Sequence, residues 1–148
     1  MGNSTGGSLT IYLAGPMEST TLSALDEWRQ LAIRKLRDWK PGMRIINPVD
    51  LSVFGDPDHP LYADKAVLQR DLQHVQQSTL VLANLQTANK VSIGTVMEIA
   101  WAYQAQIPVI AIADPKYHDH CMIRGASIAI VEDLASALDL IETMYRDY

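Results

Sequence analysis

Residues 80–113 read LVLANLQTANKVSIGTVMEIAWAYQAQIPVIAIA, and the reading of this stretch decides the fold. It opens with Leu80-Val81-Leu82-Ala83-Asn84-Leu85 and closes with Ile107-Pro108-Val109-Ile110-Ala111-Ile112-Ala113. Both runs are apolar enough to be strands buried on both faces. Between them residues 87–92 form a loop, and Gly94 or Thr95 opens a helix that runs to Ala105. A buried strand, a helix and a second buried strand describe a parallel pair joined by a crossover.

The same alternation continues in both directions. Towards the N-terminus, Thr10-Ile11-Tyr12-Leu13 is a short β-rich run broken by Ala14-Gly15-Pro16. Ser19 or Thr20 can cap the next helix. There Leu22, Leu25, Trp28, Leu31, Ala32, Lys35 and Leu36 recur at helical spacing until Pro41-Gly42 stops them. Residues 43–46 form a second strand, ended by Asn47-Pro48. Residues 52–62, with Gly55, Pro57 and Pro60, form a long irregular loop of the functional or mobile kind. A second helix covers residues 63–77. Towards the C-terminus come a loop at 114–125, a weak fifth strand at 127–131 and an amphipathic helix at 133–145. The expected fold is α/β: a doubly wound, mostly parallel five-stranded sheet flanked by helices, Rossmann-like or flavodoxin-like. Residues 1–8 read as a flexible tail and residues 9–148 as a single catalytic domain. Such sheets bind ligands at the carboxyl ends of their strands. That rule points to the loop after Leu13, the loop before the helix at Gly94 and the loop after Ala113.

Composition narrows the function. The chain has 148 residues, 48% apolar and 20% charged, which fits one ordinary globular domain and argues against disorder. Twelve Lys and Arg against seventeen Asp and Glu give a net charge of −5. No basic run offers the positive stripe that a nucleic-acid backbone demands, so no nucleic-acid partner is expected. A single cysteine, Cys121, excludes an intramolecular disulfide and a Cys-rich zinc site; it reads as a small buried hydrophobe. No apolar run reaches the length of a membrane span. The first residues lack the basic and apolar regions of a signal peptide, and Gly6 stands where a myristoylation signal needs Ser or Thr. The expected location is cytoplasmic, with no membrane partner. His118, Asp119 and His120 are too few for a tetrahedral metal site, and His59 and His74 fall in unrelated elements. No metal or other cofactor is expected. Neither a P-loop nor a Gly-x-Ser-x-Gly elbow is present.

Four side chains break the apolar pattern in ways that suggest chemistry. Glu98 is the only charged residue between Val96 and Ala102, in or near the first turn of the helix after a buried strand. A helix dipole favours an anion there, and an ionised, desolvated carboxylate is what covalent catalysis asks for. The structural alternative is an acid paired with Arg or Lys, or simply exposed. Asp71 lies four residues from both Val67 and Val75, on the apolar stripe those residues form with Leu68 and Leu72. A carboxylate on such a stripe needs a partner or a task; the alternative is an ion pair at the helix edge. Two carboxylates at one pocket suit glycosyl transfer, one as nucleophile and one as proton donor. Tyr12, near the carboxyl end of the first strand, can orient a carboxylate or touch a sugar, or merely pack the strand. Ser92 and the amides of Ile93 and Gly94 form an anion cradle at a helix start, or Ser92 is a simple N-cap.

Ile11-Tyr12-Leu13-Ala14-Gly15-Pro16, then Arg70-Asp71-Leu72, then Ser92-Ile93-Gly94-Thr95-Val96-Met97-Glu98-Ile99 together resemble the nucleoside 2-deoxyribosyltransferase superfamily. The resemblance runs from about Thr10 to Val131. It implies either transfer of 2-deoxyribose between bases or hydrolysis of nucleoside 5′-monophosphates to free base and sugar phosphate. In both cases Glu98 matches the nucleophile that attacks C1′. Asp71 then handles the proton at the base, and Tyr12 holds the nucleophile and the sugar. Gly15, Pro16, Met17, Ser92 and Gly94 fall at substrate-binding positions. The segment His120-Cys121-Met122-Ile123-Arg124-Gly125-Ala126 resembles one that reaches a neighbouring subunit's site, through His120 and Met122. A homodimer or larger assembly with shared active sites is therefore implied. Transferases carry Asp at the position of Ser92, where an anion would repel phosphate and a hydroxyl can donate to it. This points to the monophosphate N-glycosidase branch. Pro16 and Glu18 stand where hydrolases on deoxynucleotides present Ser and Arg, which favours the transferase instead. The loop at residues 53–64 is expected to shield the site, with Tyr62 or His59 near the base. A non-catalytic nucleotide-binding protein is the reading from another class.

Overall fold

The structure is a computed structural model that describes residues 7–17, 22–49, 64–86 and 90–148, with the side chains of residues 22–25 outside the description. The expected caps Ser19 and Thr20, Glu18, and the loop bearing His59 and Tyr62 lie outside the described residues.

Five strands alternate with helices: β1 (Thr10–Ala14), α1 (Leu22–Trp39), β2 (Arg44–Ile46), α2 (Asp64–Gln76), β3 (Leu80–Asn84), α3 (Ile93–Gln104), β4 (Val109–Ile112), α4 (Cys121–Ala126), β5 (Ala129–Val131) and α5 (Leu134–Met144). They form one sheet in the order β2-β1-β3-β4-β5. Every pairing is parallel, where the sequence led us to expect a mostly parallel sheet.

The pleat explains why the strands read as unbroken apolar runs. Ile11, Leu13, Leu80, Leu82, Ile110 and Ile112 face one side, where Ala32 and Leu36 of α1 and Ala137, Leu138 and Ile141 of α5 cover them. Tyr12, Ala14, Val81, Ala83, Val109 and Ala111 face the other side, against Val75 of α2, Ile99 and Ala102 of α3 and Ile123 of α4. Successive side chains of each central strand thus enter two different cores, so no polar alternation appears. The chain winds from β1 outward to β2, then returns past β1 to β3. That reversal opens a crevice between the carboxyl ends of β1 and β3.

Several elements depart from the sequence reading. The expected loop at 114–125 contains a 3-10 turn at Pro115–Tyr117 and the short helix α4. Six residues span less than two turns, too few to show a period, and what holds α4 is Ile123 inserted into the core. Cys121 is exposed, not buried, because it opens that helix on its solvent side. The strand expected at 107–113 begins only at Val109, after Pro108. Helix α3 starts at Ile93, a residue earlier than read, because Ser92 caps it.

Candidate active site

One strand and two helices bring the candidate groups together. Tyr12 projects from β1 into the core shared with α2 and α3 and is fully buried. Helices α2 and α3 pack against each other across that end of the sheet. Asp71 of α2 and Glu98 of α3 then border one cavity of about 250 Å³, completed by Val67, Gly94, Met97 and Trp101 among others. Three residues 59 and 27 positions apart in the chain are thus joined by topology alone.

Glu98 is 6% exposed. It lies in the second turn of α3, not the first, so the dipole of the helix end does little for it. Burial pushes its carboxyl up to about 8 from an ordinary 4.5; the Tyr12 hydroxyl pulls it down, the charge of Asp71 pushes it up, and the guanidiniums of Arg29 and Arg70 pull it down. The Tyr12 phenol moves well above its ordinary value, through burial first and then the negative charges of Glu98 and Asp71. Tyr12 therefore stays protonated, a donor set beside the carboxylate. The contact is close but incomplete: neither Tyr12 Oη nor Glu98 Oε2 reaches full hydrogen-bond geometry with a protein partner. A buried acceptor oxygen facing a cavity is unusual, and it suits a group kept ready to react.

Asp71 has the ion pair of its structural alternative and also faces the cavity. Its Oδ1 accepts from Arg70 Nε at 3.1 Å, and it also lines the cavity. Burial raises its carboxyl and the Arg70 guanidinium opposes the rise. Arg70 in turn donates to Pro48 O at 3.5 Å, which ties α2 to the segment after β2.

Ser92 is the N-cap of α3: its Oγ accepts from Thr95 N at 3.3 Å and from the Thr95 hydroxyl at 2.9 Å. Both contacts use it as an acceptor, which leaves the Ser92 proton to donate. Gly94 borders the Glu98 cavity. Gly15, Pro16 and Met17 form the turn after β1 at the same end of the sheet. His120 and Met122 stand apart. They line a second cavity of about 340 Å³ with Leu85, Val91, Val96, Tyr117 and Ile123, away from Glu98 and Asp71 in the same chain. His118 Nε2 lies 3.0 Å from Ala113 O. Among the described residues no three His, Cys, Asp or Glu side chains are grouped to hold a metal. No helix among them is long and apolar enough to cross a membrane.

One residue escaped the sequence reading. Arg29 of α1 is fully buried, and its charge acts on Glu98, Tyr12, Asp26 and Asp71. A signal was present: Arg29 stands three residues before Ala32 and seven before Leu36, both buried, so it occupies the apolar stripe of its helix.

A sequence profile described as nucleoside 2-deoxyribosyltransferase matches residues 11–134. No curated protein matches the chain. Among solved structures, a conserved protein from Enterococcus faecalis V583 superposes with a TM-score of 0.73 at 21% identity, covering 93% of this chain and 99% of that one. A 2-deoxyribosyltransferase from Bacillus psychrosaccharolyticus gives 0.61 at 20% identity over 88% and 90%. A CMP N-glycosidase from Clostridium botulinum gives 0.56 at 17% over 91% and 98%. At these identities the superpositions establish a shared fold, and the profile, which spans most of the chain, establishes kinship: the chain belongs to the nucleoside 2-deoxyribosyltransferase family.

Proposed function

We propose that the protein hydrolyses the N-glycosidic bond of (deoxy)nucleoside 5′-monophosphates, releasing the free base and (deoxy)ribose 5-phosphate. The observation that supports this reading is that buried Glu98 and half-buried Asp71 border one cavity, with buried Tyr12 beside Glu98. In the first step a Glu98 carboxylate oxygen attacks C1′ through an oxocarbenium-like transition state. The C1′–N bond breaks, and the departing base takes a proton from the Asp71 carboxyl. In the second step water attacks C1′ and gives its proton to the Asp71 carboxylate. The glycosyl ester bond breaks and Glu98 is released as a carboxylate. Tyr12 donates to Glu98 and holds it on line with the sugar. Ser92, with a hydroxyl proton to donate and no negative charge, receives the 5′-phosphate at the start of α3. Kinship to a fold that includes a CMP N-glycosidase supports the hydrolytic branch.

A second reading is transfer of 2-deoxyribose between bases on unphosphorylated nucleosides. Pro16 in the turn after β1 favours it, since it offers no donor to a phosphate; the fold shared with a 2-deoxyribosyltransferase supports it too. One experiment separates them. The protein is incubated with ribo- and deoxynucleosides and their 5′-monophosphates, with and without a second free base, and the products are resolved by chromatography. We expect free base from a monophosphate alone. New nucleoside formed only when an acceptor base is added would replace the hydrolase with the transferase. Tight binding without turnover would leave a nucleotide-binding protein. Glu98→Ala is expected to abolish turnover while the circular dichroism spectrum stays native; activity surviving in that variant would remove Glu98 from the nucleophile's role.

We infer also that the chain assembles with copies of itself, His120 and Met122 of one subunit completing the site of another. Val91, Val96 and Met122 are exposed apolar side chains that line the second cavity, where a second copy would cover them.

A further inference from the structure

The cavity that Glu98 borders is a seam between two helices. Asp64 and Asp71 come to it from α2, and Gly94, Met97, Glu98 and Trp101 from α3. Both helices are crossovers into strands of one parallel sheet, so they run side by side in the same direction. Asp64 to Asp71 and Gly94 to Trp101 each cover about 10 Å of helix. Asp64 and Gly94 thus mark one end of the seam, Asp71 and Trp101 the other, and Glu98 lies between the two ends. Ser92, the cap of α3, belongs to the first end.

The lining decides which part of a nucleotide can enter. Its charged groups are the carboxyls of Asp64, Asp71 and Glu98, and among the described residues that line the cavity no side chain carries positive charge. A phosphate finds no partner there and meets like charge. The wall between the acids is apolar, built from Val67, Met97 and Trp101, and such a wall suits a flat heterocycle. Size agrees with this. About 250 Å³ lies below the roughly 300–1,000 Å³ of pockets that take a whole drug-sized ligand, so the cavity admits one part of a nucleotide. Trp101 stands three residues after Glu98 and four after Met97, so the three share one face of α3. Its side chain packs against the core that contains Val75 and Ile99, yet it is only half-buried. An indole held by a core at the border of a cavity is a rigid stacking surface.

We propose that Trp101 is the base-binding residue of the site: the base stacks on its indole at the Asp71 end of the seam, and the phosphate stays outside the cavity, at the start of α3. The orientation rests on the roles proposed for Glu98 and Asp71. A base on Trp101 lies beside the acid that gives it a proton, and its sugar lies back along α3 over Glu98. Reversing the substrate would put the phosphate among the carboxylates and leave the base without an aromatic partner.

The test reads Trp101 directly, without turnover. Growth on 5-fluorotryptophan labels Trp28, Trp39 and Trp101, and the Trp101 resonance is identified by its absence in Trp101→Phe. Adenine, guanine, cytosine, uracil and ribose 5-phosphate are titrated in separately, and affinities are measured by calorimetry for the wild type, Trp101→Phe and Trp101→Leu. We expect at least one base to shift the Trp101 fluorine resonance and ribose 5-phosphate to leave it in place. Trp101→Leu should bind that base about tenfold more weakly or worse, whereas Trp101→Phe keeps most of the affinity. The proposal is overturned if none of the bases binds, if a base binds while the Trp101 resonance stays still, or if a natively folded Trp101→Leu binds as tightly as the wild type. A Trp101 resonance that answers to ribose 5-phosphate overturns it equally. Should Trp101→Leu not fold, the wild-type resonance decides alone. Base release from the 5′-monophosphates, measured on the same samples, keeps the two ideas apart. A base held on Trp101 with no release from any nucleotide refutes the proposed hydrolysis and leaves the base site standing. Release by a protein whose Trp101 ignores every base does the reverse.

Discussion

Glu98 is held in a place that resists its charge. Its carboxyl is pushed up to about 8, chiefly by burial, so at neutral pH most empty sites carry the acid form. Two consequences follow with opposite sign. A carboxyl whose folded value lies above its unfolded one binds more protons folded than unfolded. Its contribution to stability is therefore fully present below about pH 4.5 and is lost as pH rises towards about 8. Each unit of displacement is worth about 1.4 kcal/mol, so Glu98→Gln should be more stable than the wild type at pH 8, by a few kcal/mol, with the gain vanishing near pH 4. Thermal melts across that range check this; a variant less stable at pH 8 would show that the carboxylate is a structural ion pair. If Glu98 is the nucleophile proposed above, the acid form is the inactive one. In the proposed hydrolysis kcat/KM for base release should rise with pH as Glu98 ionises and fall once Asp71 has lost the proton it gives to the base, since this profile reports both groups in the free enzyme. At Tyr12, removal of the phenol takes a donor from a buried charge, an interaction worth about 1.5–3 kcal/mol. Tyr12→Phe should lower kcat by roughly 10- to 100-fold and displace the rising limb to higher pH. A limb that stays in place would make Tyr12 a packing residue only.

Element by element, the chain places these groups through ordinary helix chemistry. Helix α3 carries Glu98 at a fixed height because Ser92 caps its first turn through Thr95. Loss of an N-cap costs about 1 kcal/mol, which in a chain of this size lowers Tm by roughly 2–4 °C. Ser92→Ala should show that drop, and in the proposed hydrolase it should also raise KM for a monophosphate more than KM for the matching nucleoside. Equal effects on both substrates would reduce Ser92 to its capping role. The central strands were readable because double burial leaves an unbroken apolar run, and α1, α3 and α5 were readable from their period. α4 was not, because its six residues are stabilised by where Ile123 lands and not by anything local. Arg29 was legible only as a flaw in a stripe. Leu31 and Lys35 were counted into that stripe, whereas both are exposed and the buried line runs through Arg29, Ala32 and Leu36. A helix reads its own face correctly only to within one residue when the neighbours are unknown.

At the scale of the whole molecule, function follows from one reversal of winding. Strands β1 and β3 are adjacent although an entire βα unit separates them in sequence, and on the face that α2 and α3 cover, Tyr12 of β1 lies beside Glu98, which shares a cavity with Asp71. The second cavity shares no lining residue with the first, and Met122 on its rim is 71% exposed. Sedimentation velocity should find a dimer or larger assembly for the wild type, and Met122→Asp should shift it towards the monomer with loss of base release. A wild type that sediments as a monomer would end the shared-site reading. What the sequence determined by itself is whatever depends on local pattern: the alternation of strand and helix, the burial of the sheet on both faces, the family, and the identity of the carboxylates that break the apolar runs. Hydrophobic period and chain punctuation are short-range properties, and a reader of residues can see them. Only the tertiary structure decided that Asp71 and Glu98 share a cavity, that Ser92 spends its oxygen on a cap, that His120 and Met122 line a second cavity, and that Arg29 is buried against the turn after β1. Those are distances between residues far apart in the chain, and they are set by the order in which strands pair and by which face each crossover covers.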